Sequence, residues 1–101
     1  MYILLIFIYI LMVINMYNLM DAKYASEVLN INFNKFSIED FLNGINIELE
    51  HGLINPNTNV TNNDLILSAK IALAHLNEYP NYYNKDYGIT KFEEFLKSKM
   101  T

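Results

Sequence analysis

Leu65 to Asn77 reads Leu-Ile-Leu-Ser-Ala-Lys-Ile-Ala-Leu-Ala-His-Leu-Asn, an apolar stretch broken only by Ser68, Lys70, His75 and the final asparagine. In helical projection Leu65, Ile66, Ala69, Ala72, Leu73 and Leu76 share one side, and Leu67, Ile71 and Ala74 the other. A helix apolar nearly all round is a central, buried one, so the rest of the chain has to wrap it. The best partner precedes it. Ile38, Phe41, Leu42, Ile45 and Leu49 recur at helical spacing, giving one wide apolar face. Ser37-Ile-Glu-Asp40 caps that helix, its acids suit the positive end of the helix dipole, and Gly52 is its expected stop. Thr61-Asn-Asn-Asp64 predicts the start of the central helix, which ends near Asn77 ahead of Pro80.

The remaining segments are shorter. Asp21–Leu29 reads as a helix with Ala22, Ala25 and Leu29 on one side. Asn30–Lys35 alternates polar and apolar residues, but it is Asn-rich and has no partner strand. It reads as a loop with Ile31 and Phe33 tucked inward. The Asn55-Pro56-Asn57 region is a turn, and Asn59-Val60-Thr61 is a glycosylation sequon within the same loop. Thr90-Lys-Phe-Glu93 forms a capping box opening a last helix, with Phe92, Phe95 and Leu96 expected inward. The fold class is all-α: a small bundle of three to four short helices over residues 21–101. Roughly eighty residues can bury one modest core.

Residues 1–20 are a different case. Tyr2–Ile14 is an unbroken apolar run with no charged residue, read as helical and continuing through Tyr17 to Met20. A bilayer-spanning helix needs about twenty apolar residues, so residues 2–20 are long enough for a membrane anchor. No lysine precedes the run and no small-x-small site follows it, which disfavours a cleaved signal peptide. Met12, Met16 and Met20 offer later starts. A product beginning at Met1 is membrane-anchored on this reading. One beginning at Met20 is soluble and intracellular, and the leader is then a misassigned start.

The net charge is −4, with seven lysines and no arginine. No basic stripe appears, which argues against a nucleic-acid partner. There is no cysteine, hence no thiolate ligand or disulfide. The two histidines each carry a glutamate three residues away, in Glu48-Leu-Glu-His51 and His75-Leu-Asn-Glu78. Residues three apart share a helix face. Gly44, Ile47 and His51 form a second stripe on one helix, and Ser68, Ile71, His75 and Glu78 form one on the next. Pairing these stripes brings Glu48, His51, His75 and Glu78 to one end, as a two-His, two-carboxylate site for zinc, iron or manganese. The same residues read first as a helix-pairing signature, with His51 at a helix C-terminus and His75 hydrogen-bonded across the interface. Tyr79, Tyr82 and Tyr83 around Pro80 are the candidate interaction surface, or else the rim of the core with hydroxyls in water. No serine elbow or other nucleophile motif appears, so the sequence leans away from an enzyme.

Three stretches resemble a known family: Phe41-Leu-Asn-Gly-Ile-Asn-Ile-Glu-Leu-Glu-His-Gly, Thr58-Asn-Val-Thr-Asn-Asn-Asp, and Lys70-Ile-Ala-Leu-Ala-His-Leu-Asn-Glu-Tyr-Pro-Asn-Tyr-Tyr. The family is a small uncharacterised domain of unknown function found in phages, giant viruses and bacteria. The resemblance covers roughly residues 21–83 and implies a compact, mostly helical domain without an assigned activity. Such domains ordinarily lack a long apolar leader, which favours the misassigned-start reading. The chain departs from the pattern at Asn81, where aspartate is usual, and in its Gly88-Ile-Thr insertion. The expected function is a non-enzymatic accessory or interaction domain acting on an unknown protein partner, and the resemblance implies a viral or phage origin as one of its sources. Metal binding is the alternative.

Overall fold

The computed structural model describes residues 3–7 and 16–100. Its helices are α1 (Leu19–Val28), α2 (Ile38–Ile54), α3 (Leu65–Glu78) and α4 (Ile89–Ser98), with a 3-10 turn at Pro56–Thr58 after α2. Residues 3–7 are also helical, and no strand occurs among the described residues. The fold is an all-α small bundle. Half of residues 1–20, at 1–2 and 8–15, lies outside the described residues, so the anchor reading falls largely outside them. Among the described residues no helix is long and apolar enough to cross a membrane.

The core joins three helices. Phe41 and Ile45 of α2, Ala69, Ala72 and Leu76 of α3, and Ala22 and Ala25 of α1 are buried together, with Phe36 and Tyr83 from the connections. Four of these nine are alanines, so helix backbones approach closely and the large side chains of α2 fill the space between. Ile31 and Phe33 pack against this cluster from the loop, as the pattern predicts. Phe33 meets Phe36 edge-on and Phe41 at a tilt, with centroids 5.9 and 6.0 Å apart. The central helix is less enclosed than expected: Leu67 and Ala74 of α3 face solvent, because α1 and α2 cover only its other side.

Three helix ends differ from the sequence reading, each for a local reason. Gly52 does not stop α2, which runs to Ile54 with Asn55 as its C-cap. No glycine has a positive φ; Gly52 stays helical and its missing side chain admits the Asn59 side chain. Thr61 is not the cap of α3. Asn62 and Asn63 have φ of 51° and 60°, a left-handed pair that asparagine tolerates and helix does not. The cap passes to Asp64, whose carboxylate accepts from the Leu67 amide at 2.8 Å. Thr61 is buried and Asn59 donates to Asn63, so both ends of the sequon are engaged in the loop. Finally, α4 starts at Gly88 with no side-chain cap, leaving Thr90 inside the first turn. Phe92, Phe95 and Leu96, expected inward, are 57, 55 and 47 % exposed. Only the first turn of α4 rests on the core, through Ile89.

The N-terminal edge of the bundle lies before residue 21. Asn18 caps α1 in a reciprocal box with Asp21. The buried Asn46 side chain clamps the Tyr17 backbone, accepting from its amide at 2.8 Å and donating to its carbonyl at 3.0 Å. Tyr17 also donates its phenol to the Asn63 carbonyl at 2.7 Å.

Candidate functional site

Glu48 is the most deeply placed carboxylate of the bundle, 6 % exposed on α2. One turn earlier, Gly44 leaves a flat strip of helix on which the Tyr83 ring lies. A Cβ there would sit 2.5 Å from Tyr83 Cε2. That seat carries the phenol one helical turn along the axis, where it donates to Glu48 Oε2 at 2.6 Å. The backbone of Tyr83 is held by Asn43, whose side-chain amide donates to the Tyr83 carbonyl at 3.2 Å. Pro80 sets up the turn that delivers it. Tyr79, preceding proline, is extended at φ −135° and ψ 98°, as the ring of the next residue demands.

His75 completes the network from α3, with Nδ1 3.0 Å from the Tyr83 oxygen and 3.4 Å from Glu48 Oε2. Burial and the Glu48 carboxylate push the Tyr83 phenol far above its ordinary value, so it keeps its proton and spends it on Glu48. The phenol oxygen is then left only to accept, so His75 donates from Nδ1, and in the neutral imidazole the lone pair falls on Nε2. Tyr82 stacks on the His75 ring at 4.1 Å and meets Tyr83 edge-on at 4.9 Å. His51, one turn past Glu48, brings Nε2 to 3.6 Å from Glu48 Oε1.

A groove of about 360 Å³ opens beside this network. Glu48, Glu50 and His51 come from α2, His75 from α3 and Glu93 from α4; Ile47, Ile54, Ile89 and Tyr82 form the apolar walls. No lysine lines it. Burial first, then the Glu93 charge, raises the Glu50 carboxyl above its usual range, and Glu48 adds to this while His51 opposes it. Burial and the Glu48, Glu93 and Glu78 charges likewise raise the Tyr82 phenol.

Three of the four residues expected at the site therefore converge: Glu48, His51 and His75, with Glu48 shared by both histidines. Glu78 does not join them; it is exposed on the last turn of α3. Among the described residues no group of three or more His, Asp or Glu side chains is arranged to hold a metal ion. The tyrosines divide. Tyr79 is 59 % exposed and Tyr82 is half-buried in the groove wall, but Tyr83 is 1 % exposed and takes no part in any surface. Its hydroxyl is not in water; it is the centre of the polar network. Sequence reasoning missed Glu50, Glu93 and the role of Tyr83. The one signal for the last was Gly44, an internal helix glycine one turn before Glu48.

The sequence model of the family described as "Protein of unknown function (DUF5661)" matches residues 22–94. The chain belongs to this family. The match takes in most of α1, all of α2 and α3 and the first part of α4, and hence every residue of the network and groove. No curated protein and no solved structure matches the chain. Membership of DUF5661 establishes a domain of unknown function and carries no activity with it.

Proposed function

We propose that this DUF5661 domain is a non-catalytic binding module, and that its groove takes a cationic side chain presented by a protein partner. The observation that carries the reading is the composition of the groove. Three carboxylates line it with no lysine among them, between isoleucine walls and Tyr82. Burial, and after it the charge of Glu93, raises the affinity of Glu50 for a proton, and a bound ammonium relieves that cost. A lysine side chain suits such a place: its aliphatic stem packs on Ile47, Ile54 and Ile89 while its ammonium meets the carboxylates.

The test is titration of the full chain with a lysine-rich peptide and with a glutamine-matched control, followed by calorimetry and by NMR shifts. Binding of the lysine peptide alone is expected, with shifts at Glu50, His51 and Glu93. Glu50→Gln and Glu93→Gln each weaken it roughly fivefold to tenfold, as charge-assisted contacts of about 1–1.5 kcal/mol require. Equal behaviour of the two peptides would exclude the reading.

A divalent zinc, iron or manganese ion is the second reading. The open Nε2 of His75 and the position of Glu48 between both histidines favour it, since a hydrogen-bonded imidazole presents its other nitrogen to a metal. It requires side chains to move from their present arrangement. Metal content after purification without a His-tag, and a thermal shift on adding zinc, separate it from peptide binding.

A further inference from the structure

The groove has α2 on one side and the start of α4 on the other, and the two walls carry the same sequence of residue types. Ile47, Glu50, His51 and Ile54 form one stripe of α2; Ile89, Glu93 and Leu96 form one stripe of α4, at the three- and four-residue spacings that share a helix face. Set side by side in parallel, Ile89 matches Ile47, Glu93 matches Glu50 and Leu96 matches Ile54. This seam is closed at its foot and open above. Ile89 rests on the core, but Ile54 is 61 % and Leu96 47 % exposed. Among the described residues no other helix packs along α4. We infer that α4 is a hinged lid, held off α2 by the facing Glu50 and Glu93 carboxylates, which closes along the seam when a cation is bound between them. The trigger rests on the lysine-binding reading of the groove; the hinge does not.

The pivot is the turn before α4. The Gly88 amide donates to the Asn84 carbonyl at 2.8 Å, and the Ile89 amide donates to the Tyr82 carbonyl at 2.7 Å. A Cβ on residue 88 would lie 2.5 Å from both of those carbonyl oxygens, so glycine lets α4 start hard against the turn. Past its first turn the helix is exposed throughout. Its ten residues fall short of the roughly 12–15 that hold a helix unaided in water, so α4 gains from a surface to lie on. Closing the seam covers Leu96 and Ile54 and leaves Phe95 outside, where the Lys99 ammonium is 5.4 Å from its ring centre. Charge opposes closure. Burial, and then the Glu93 charge, hold the Glu50 carboxyl above its ordinary range. Glu48 and His51 of α2, His75 of α3 and Tyr82 also face the groove, and Lys85 shares an adjoining cleft with both carboxylates. Among the described residues Lys85 is ion-paired with neither. An ammonium between Glu50 and Glu93 replaces one repulsion with two attractions.

The chain has no cysteine, so Asn57→Cys and Ser98→Cys in the full chain take two spin labels, one just past α2 and one at the end of α4. Both positions are exposed. The lysine-rich peptide is expected to shift the measured distance to shorter values, and the glutamine-matched peptide to leave it unchanged. Glu50→Gln combined with Glu93→Gln is expected to shorten the distance with no peptide present. Glu94→Gln, the same charge change on another side of α4, is expected to leave it unchanged. Peptide binding by calorimetry with an unchanged distance overturns the lid and keeps the reading of the groove. If the lysine peptide does not bind, that reading falls and the double variant decides: a shorter distance supports a lid held by charge. An unchanged distance in the double variant overturns the lid in either case. Equal shortening in Glu94→Gln also overturns it, because the Glu50 and Glu93 pair is then not what holds α4 away.

Discussion

Replacing Tyr83 by Phe removes one oxygen atom and leaves the ring on its seat against Gly44. The lost oxygen donates to Glu48 at 2.6 Å and faces His75 at 3.0 Å. Glu48 is 6 % exposed, so water does not readily take the vacated place. A hydrogen bond to a charged group contributes about 1.5–3 kcal/mol, and the His75 Nδ1 already 3.4 Å from Glu48 recovers part of this. The expected net loss is about 2 kcal/mol. In a domain of this size that lowers Tm by roughly 10 °C. Urea unfolding followed by circular dichroism measures it. Tyr82→Phe, which keeps the ring stacked on His75, is the control and costs under about 0.5 kcal/mol. A double-mutant cycle with Glu48→Ala should return a coupling of at least about 1 kcal/mol, because the two residues share one contact. A Tyr83→Phe cost below about 0.5 kcal/mol, or additivity in the cycle, would refute the claim that Tyr83 organises Glu48.

Gly44→Ala gains about 1 kcal/mol of helix propensity but drives a methyl into the Tyr83 ring, an overpacking cost of about 1–3 kcal/mol. Net destabilisation is expected, and in the Tyr83→Ala background, where the ring is gone, the same substitution should become stabilising. Asn46→Ala leaves both backbone groups of Tyr17 without partners and should cost about 1–3 kcal/mol by denaturant titration. A chain beginning at Met20 lacks the Asn18 cap and the Tyr17 clamp altogether, so it should be less stable than one beginning at Met16. The raised phenol of Tyr83 gives a pH dependence of definite sign. The folded state keeps a proton that the unfolded state loses above about pH 10, so stability is intact below that pH and falls as pH rises, by about 1.4 kcal/mol per unit for one such group. Phenolate absorbance should show a late component that appears only with unfolding and is absent from Tyr83→Phe.

Helical periodicity and turn chemistry were enough to read α2, α3 and the buried faces of α1 and α2, because those signals are local and repeated. Phe41, Ile45 and Leu49 are buried, as their spacing demands. The Glu48, His51 and His75 cluster was legible for the same reason: i, i+3 pairs on two adjacent helices leave few ways to meet. What escaped was decided by tertiary contact. Asn46 is an ordinary polar residue until Tyr17 arrives, and Tyr83 is a surface tyrosine until Gly44 offers it a seat. The face of α4 escaped for the opposite reason. Its Phe92, Phe95 and Leu96 carry a regular apolar pattern that specifies amphipathicity without saying whether the bundle or something outside it is the partner. Two of the three displaced helix ends follow from local chemistry, the Asn59 amide filling the space over Gly52 and the left-handed Asn62–Asn63 pair displacing the cap to Asp64.

The central claim is that Tyr83 spends its proton on Glu48 and so fixes His75 with Nδ1 protonated and Nε2 open. Long-range ¹H–¹⁵N correlation of the imidazole in the full chain, at about pH 8 where an ordinary histidine is neutral, reads this directly. The account predicts a protonated-type shift at His75 Nδ1 and an unprotonated-type shift at Nε2, with the preference lost in Tyr83→Phe. A proton on Nε2 in the wild-type protein would contradict it.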